Sequence, residues 1–355
     1  MKIAVLWKYW QDYLGESLNE LSRTPGVEVL LCEIPQAHRT APSSYLDASI
    51  ERFELTRDDH SLEARLEQFG PDVVLVCGWN IRAYRRLARQ WRGRAVRLLY
   101  MDNQWLGTVR QFVSLVISPL YLWPCFEGAF VTGRRQARFA RKLGYGANRT
   151  QTGGIVADTH KFRGEPAERG FLFVGRLVPE KGIDVLAEAY RRYRTNRADP
   201  WPLVVCGEGS EAHRLVAVEG IQALGFVQPS RLPAVMREAA CLVLPSRFEP
   251  FGVVVHEATS VGLQVITTDV VGAADLFVES FQNGRVVASG DSLAMTEAMN
   301  WVHDQSSGER HAATRRSREL ASRQSPETWS RELLSLSGRF DLSRRFVLRA
   351  QVQDT

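Results

Sequence analysis

Glu249 and Glu257 stand eight residues apart in the stretch Pro245-Ser246-Arg247-Phe248-Glu249-Pro250-Phe251-Gly252-Val253-Val254-Val255-His256-Glu257-Ala258. The apolar run Cys241–Leu244 reads as a buried strand that ends at Pro245, and the residues after it read as a loop and then a helix. Pro250 suits the first helical turn, where its missing N–H is no loss. The amides of Phe251, Gly252 and Val253 then become N-terminal donors without an intrahelical acceptor, suited to a phosphate or sugar oxygen. Glu257 falls about two turns into the predicted helix. Carboxylates at this spacing suit a ligand with two polyol ends, one a sugar ring and the other a ribose diol.

A second chemical stretch is Phe171-Leu172-Phe173-Val174-Gly175-Arg176-Leu177-Val178-Pro179-Glu180-Lys181-Gly182. A buried strand delivers Gly175, which permits close backbone approach. Arg176 follows, and Lys181 comes five residues later at a helix start. Two cations beyond one strand end form an anion clamp, Arg through its planar fork and Lys as a point charge. A departing diphosphate needs such a clamp, because its charge must be neutralised without protonation.

Elements that could position these groups recur along the chain. Strand-like runs are predicted at Lys2–Trp7, Val27–Leu31, Val73–Cys77, Val96–Tyr100, Ala129–Thr132, Phe171–Gly175, Leu203–Gly207, Cys241–Pro245 and Gln264–Thr268. Helical periodicity falls between them at Gln11–Ser22, Ser61–Phe69, Asn80–Trp91 and Arg134–Leu143, and after Gly182 through Ile183, Leu186, Ala187 and Tyr190. Apolar strands without polar alternation are buried on both faces, so each half reads as a parallel sheet flanked by helices. The predicted class is α/β: two doubly wound domains, with a boundary near Gly153-Gly154. Ligands of such sheets bind beyond the carboxyl ends of the strands, so the site is expected in a cleft between the two sheets.

The two chemical stretches, in this order, resemble the retaining glycosyltransferases of family 4, which have the GT-B fold. The resemblance also takes in Cys206-Gly207-Glu208-Gly209 and Leu224-Gly225-Phe226-Val227, and it is close over roughly 170–290. Thr328-Trp329 resembles the C-terminal helix that crosses back to the first domain. The resemblance implies an acceptor-side domain over 1–155 completed by 327–355, and a nucleotide-sugar donor domain over 156–326. It implies that Arg176 and Lys181 hold the donor diphosphate, and that Glu249 binds the transferred sugar with the amides of Phe251, Gly252 and Val253. It places Glu257 on the ribose hydroxyls and Val227, through its backbone, on the base, with Gly175 and Gly207 lining the donor site. Reaction on the front face, with the leaving phosphate accepting the acceptor's proton, is implied as well. Neither an enzymic nucleophile, a metal nor another cofactor is then required, and no D-x-D motif occurs in the chain.

The first half departs from that pattern. Where many relatives carry a Gly-Gly turn after the first strand, this chain has Trp7-Lys8-Tyr9-Trp10-Gln11-Asp12-Tyr13-Leu14-Gly15. Gly15 is the one glycine there that could approach a phosphate, and the aromatic residues either stack on a sugar face or pack the loop. Asp102 and Asn103 follow the strand Val96–Tyr100, and they either orient an acceptor hydroxyl or shape the turn. The mostly apolar run between Phe112 and Phe130 contains Pro119 and Pro124, which forbid a continuous spanning helix. Two readings stand for it, a core helix with a broken end and a segment resting in a bilayer interface.

Charge sharpens the second reading. Residues 82–142 hold 13 basic residues against Asp102 and Glu127, although the whole chain of 355 residues has a net charge of only +5. Such a surface attracts phosphates or anionic headgroups, or else is a solvated basic face; nucleic acid ranks last, since no nucleic-acid motif accompanies it. With 45% apolar and 24% charged residues, the composition is that of globular proteins and excludes a disordered or fibrous chain. The five cysteines are scattered without C-x-x-C spacing, which argues against disulfides and zinc and for a reducing compartment. A cytoplasmic enzyme is expected, with peripheral contact on the inner face of the cytoplasmic membrane as an open reading. It would move a hexosyl-type sugar from a UDP- or GDP-sugar to a glycan or lipid-linked acceptor. The rival readings are a nucleotide-sugar 2-epimerase of the same fold and a non-catalytic nucleotide-sugar-binding protein.

Overall fold

The computed structural model describes residues 1–8, 12–34, 46–55 and 59–340. The chain divides into two compact units, one formed by Met1–Val156 together with the segment from Pro326 onward, the other by Ala157–Ser325.

The first unit is built on seven strands: β1 (Lys2–Trp7), β2 (Glu28–Glu33), β3 (Glu51–Glu54), β4 (Val73–Cys77), β5 (Val96–Met101), β6 (Gly128–Val131) and β7 (Thr150–Thr152). They lie in the order β3-β2-β1-β4-β5-β6-β7, and every pairing is parallel. Helices α1 (Asp12–Arg23), α2 (Asp59–Phe69), α3 (Arg82–Gln90), α4 (Val109–Tyr121) and α5 (Arg134–Lys142) are the crossovers. The central strands are apolar on both faces because helices cover both. Ala4, Leu6, Leu30, Val74, Val76, Leu99 and Val131 pack in one cluster with Leu87 and Phe139 of the helices.

The second unit has six parallel strands: β8 (Phe171–Val174), β9 (Leu203–Cys206), β10 (Ile221–Gly225), β11 (Cys241–Leu244), β12 (Gln264–Thr268) and β13 (Gly284–Val287). Their order is β10-β9-β8-β11-β12-β13. Helices α6 (Ile183–Thr195), α7 (Leu232–Arg237), α8 (Val253–Val261), α9 (Ala274–Phe277), α10 (Ser292–His303) and α11 (Ser307–Ala321) connect and cover them. The chain then returns to the first unit as α12 (Pro326–Gly338), where the buried Trp329 donates its indole N–H to the Gly154 carbonyl at 3.0 Å and stacks edge-on against Phe130.

Strand order decides where a ligand can sit. In the second unit the winding reverses between β8 and its neighbour β11, which makes the crevice beyond their carboxyl ends the switch point of the sheet. The two chemical stretches follow these two strands. The corresponding point in the first unit lies between β1 and β4. Part of the loop after β1, Tyr9-Trp10-Gln11, lies outside the described residues, as does the tail 341–355 of the expected crossing segment.

Candidate functional site

Glycines at strand ends shape the backbone around the switch point. A Cβ on Gly207 would lie 1.9 Å from the Gly175 carbonyl oxygen, and one on Gly209 would lie 2.2 Å from that of Leu177. With no side chains in the way, the loop after β9 docks against the loop after β8. The Gly175 amide donates to the Cys206 carbonyl at 3.0 Å and the Leu177 amide to the Glu208 carbonyl at 2.8 Å. Gly207 therefore acts through backbone packing, holding Gly175 and Arg176 in place. Arg176 is exposed, and among the described residues it has no ion-pair partner.

Lys181 ends a single 3-10 turn, Pro179–Lys181, followed by Gly182 in the left-handed region at φ 66°. The left-handed turn brings Gly182 so close to the Pro245 carbonyl that a Cβ would sit 2.2 Å from it. The loop after β11 is thereby fastened to the loop after β8. The amides of Arg247 and Phe248 both donate to the Glu180 carbonyl, at 2.8 and 3.1 Å, and the Arg247 guanidinium grips Asp184 with two nitrogens. That guanidinium holds the Asp184 carboxyl below its ordinary pKa. At the centre of this junction Lys181 Nζ is ion-paired with Glu249 Oε2, and the two side chains are only 16% and 14% exposed.

The helix after Glu249 begins later than the sequence suggests. The Glu249 and Phe251 carbonyls accept from the amides of Gly272 and Ala273, at 3.3 and 2.8 Å, and Glu249 bridges to Val271. These bonds hold 249–251 extended, so Pro250 lies outside the helix, not in its first turn. Gly252, left-handed at φ 90°, is the N-cap, and α8 starts at Val253. Glu257 is consequently the fifth helical residue, just over one turn in, instead of two. The amides of Phe251, Gly252, Val253 and Val254 donate no hydrogen bond among the described residues. Gly252 lies beside the Glu249 side chain: a Cβ there would come 3.0 Å from Glu249 Cγ and 3.4 Å from its Cδ.

Other expected residues fall as follows. Val227 is half-buried just beyond β10, where the Phe226 amide donates to Glu208 Oε1 at 3.3 Å. Glu257 is half-buried on α8. His256, its neighbour, turns the other way and is fully buried. In the first unit, Gly15 is the fourth residue of α1 and is buried, so it lies within the helix and not in the loop before it. Asp102 follows β5 as expected and keeps an exposed side chain, yet the protein around it raises its carboxyl pKa by desolvation. Gln136 of α5 fixes this turn by donating to the Asp102 carbonyl at 3.1 Å. The sequence reading missed Gln136, Asp184 and Arg247; a carboxylate one residue past Lys181-Gly182-Ile183 and an arginine just ahead of Glu249 were the available signal.

Comparison with known proteins bears on the second unit. Residues 158–320 match the family of glycosyl transferases group 1. Over 161 residues, 43% of this chain and 37% of the relative, the sequence is 32% identical to glycogen synthase of Mycobacterium tuberculosis. It is 28% identical over 162 residues, 42% of either chain, to alpha-D-kanosaminyltransferase of Streptomyces kanamyceticus. The chain thus spans about two-fifths of the length of the curated relatives it matches. Across 94% of this chain and 99% of the other, the fold superimposes on Anabaena Alr3699/HepE, solved in complex with UDP, with a TM-score of 0.73 at 16% identity. Two Rossmann-like parallel sheets with this strand order are the GT-B glycosyltransferase fold.

Proposed function

We propose that the protein is a retaining, metal-independent glycosyltransferase of family 4 type that moves a hexosyl sugar from a UDP- or GDP-sugar to a glycan or lipid-linked acceptor, in cell-surface polysaccharide or glycoconjugate synthesis. The observation that carries this reading is the Lys181–Glu249 pair beside the undonated amides of Phe251 to Val254 at the switch point of the second sheet. A diphosphate arriving there takes Lys181 Nζ and the helix-start amides, with Arg176 as the second cation. Glu249, released from Lys181, then accepts from sugar hydroxyls, while Glu257 accepts from the ribose and Val227 lines the base. The bond from the sugar's anomeric carbon to the diphosphate breaks as the bond to the acceptor oxygen forms. The acceptor's proton passes to the departing phosphate. On the acceptor side, the desolvated Asp102 orients the incoming hydroxyl. The UDP carried by Anabaena HepE supports a nucleoside-diphosphate donor.

The test is to incubate the protein with UDP- and GDP-hexoses, a set of glycan and lipid-linked acceptors, and chelator. Release of nucleoside diphosphate that depends on acceptor, with an unchanged anomeric configuration by NMR, is expected. Inverted product overturns retention, donor consumption without acceptor points to the epimerase, and binding without release points to a non-catalytic protein. Activity abolished by chelator overturns metal independence.

A further inference from the structure

Helix α4 is amphipathic the wrong way round. Apart from the exposed Arg110, its polar residues face the protein: Gln111 and Thr108 form a capping box, Gln111 also donates to the Gln104 carbonyl at 2.7 Å, and Ser118 Oγ donates to the Leu143 carbonyl at 3.0 Å. Ser118 Oγ also bonds the Leu115 carbonyl at 3.1 Å, the group that Pro119, lacking an N–H, leaves without its helical donor. The apolar residues Val109, Phe112, Val113, Val116, Ile117 and Leu120 point out, with Val116 and Leu120 79% and 84% exposed. Their spacing forms one stripe along the helix. Over 112–121 this decides against a core helix, whereas Leu122, Cys125, Phe126 and Phe130 of the same apolar run are buried. At 1.5 Å per residue, thirteen residues reach only about 20 Å, short of a bilayer core, and none of the described helices is long and apolar enough to cross a membrane.

Beside the last turn of this helix lies an open groove of roughly 600 Å³ lined by Arg82, Arg85, Arg86, Arg89, Leu120 and Tyr121, with Cys125. The four arginines stand at i, i+3, i+4 and i+7 on α3, which places them on one face. Arg85 lies over the Tyr121 ring at 4.3 Å, tying the basic face to the end of the apolar stripe. Not every arginine of the sequence cluster belongs here. Arg97 is buried against Glu127, and Arg94 pairs with Glu67. Glu127, one of the two acids within 82–142, is thereby engaged, and no acidic residue occurs on α3 itself.

We propose that this groove receives the phosphate of an anionic phospholipid while the outward stripe of α4 lies in the membrane interface. The charge and the apolar surface are adjacent and are presented together, as a lipid's headgroup and chains are. A helix of this length lies on the bilayer with its apolar face sunk about 5–10 Å, and the exposed ring of Trp123 sits at headgroup depth. A surface that binds a lipid sheet does not depend on the donor-site reading.

The experiment is co-sedimentation of the intact chain with phosphatidylcholine vesicles, with and without phosphatidylglycerol. Binding is expected only with the anionic lipid and is lost at high salt. Arg82→Ala with Arg89→Ala lowers the partition roughly twenty-fivefold, at about fivefold per arginine. Val116→Ser with Leu120→Ser lowers it at least about tenfold, since the stripe no longer buries apolar area. All four side chains are exposed, so circular dichroism and nucleoside-diphosphate affinity stay at wild type. Equal binding to both vesicles, no binding, or variants that bind like wild type overturns the proposal. So does a solution dimer that the Val116→Ser, Leu120→Ser pair dissociates, which assigns the stripe to a second copy, and so does binding of inorganic phosphate without vesicle binding.

Discussion

Lys181 and Glu249, 68 residues apart in sequence, meet as an ion pair at the carboxyl ends of adjacent strands β8 and β11. Both are mostly buried, so each neutralises a charge that would otherwise be desolvated alone. Glu249→Gln and Lys181→Met are each expected to lower kcat by about 10²–10³-fold, as for loss of a preorganised charged contact. Each also destabilises by about 2 kcal/mol, because one partner stays behind unpaired. The double variant should be more stable than the sum of the singles, by about 1–2 kcal/mol in urea unfolding. Additive single-variant losses would show that the pair carries no coupling.

Arg176 differs from Lys181 in having no ion pair to lose among the described residues, and it is exposed. Arg176→Ala should leave unfolding free energy within about 0.5 kcal/mol of wild type, as exposed substitutions do. Calorimetry with UDP and GDP should show about a 10–100-fold weaker complex, the value of a charge-assisted contact. Wild-type affinity in this variant would remove Arg176 from the diphosphate site.

Gly207 tests the backbone beneath that cation. A methyl at this position overlaps the Gly175 carbonyl, and φ 140° disfavours any L side chain. Gly207→Ala should lower stability by more than about 2 kcal/mol and weaken nucleoside-diphosphate binding together, since the Gly175–Arg176 backbone must shift. A stable variant with weakened binding would instead mean that Gly207 touches the ligand directly.

Both sheets were legible in the sequence because their central strands are apolar on both faces. What escaped was at the edges. Glu51–Glu54 reads Glu-Arg-Phe-Glu and pairs on one side only, and Thr150–Thr152 has three half-buried residues, so neither carries the apolar run that marks a strand. The types of Arg176, Lys181, Glu249 and Glu257 announced an anion and polyol site. Their pairing did not follow, since only the strand order makes β8 and β11 neighbours. The start of α8 was misplaced because Pro250 favours a first turn locally, while bonds from Gly272 and Ala273, distant in sequence, hold it extended. The exposed face of α4 was undecided, because hydropathy alone does not tell which side of a helix meets the protein.

His256, next to Glu257, supplies a pH dependence confined to the second unit. Its ring is fully buried and stacks on Phe277 at 4.2 Å. Nδ1 accepts from the Ala157 amide at 2.9 Å, so the proton of the neutral ring lies on Nε2, which donates to the Ala321 carbonyl at 3.0 Å. Burial lowers its pKa from 6.5 to about 4. The unfolded chain therefore binds more protons between these values, and stability falls as pH drops below 6.5 until the loss is complete near pH 4. The full loss is on the order of 3 kcal/mol. Carboxylates held low, such as Asp184, lose their contribution only at lower pH; His303, also held below its ordinary value by desolvation, loses stability in the same window, so the difference between wild type and His256→Gln is what isolates His256. Urea unfolding at pH 7 and pH 5.5 should show wild type losing stability between the two, and His256→Gln, though weaker at both, losing much less. NMR titration of the imidazole in the folded wild type reads the same quantity without a variant. An imidazole that titrates near 6.5 in the native state would refute the buried, neutral assignment.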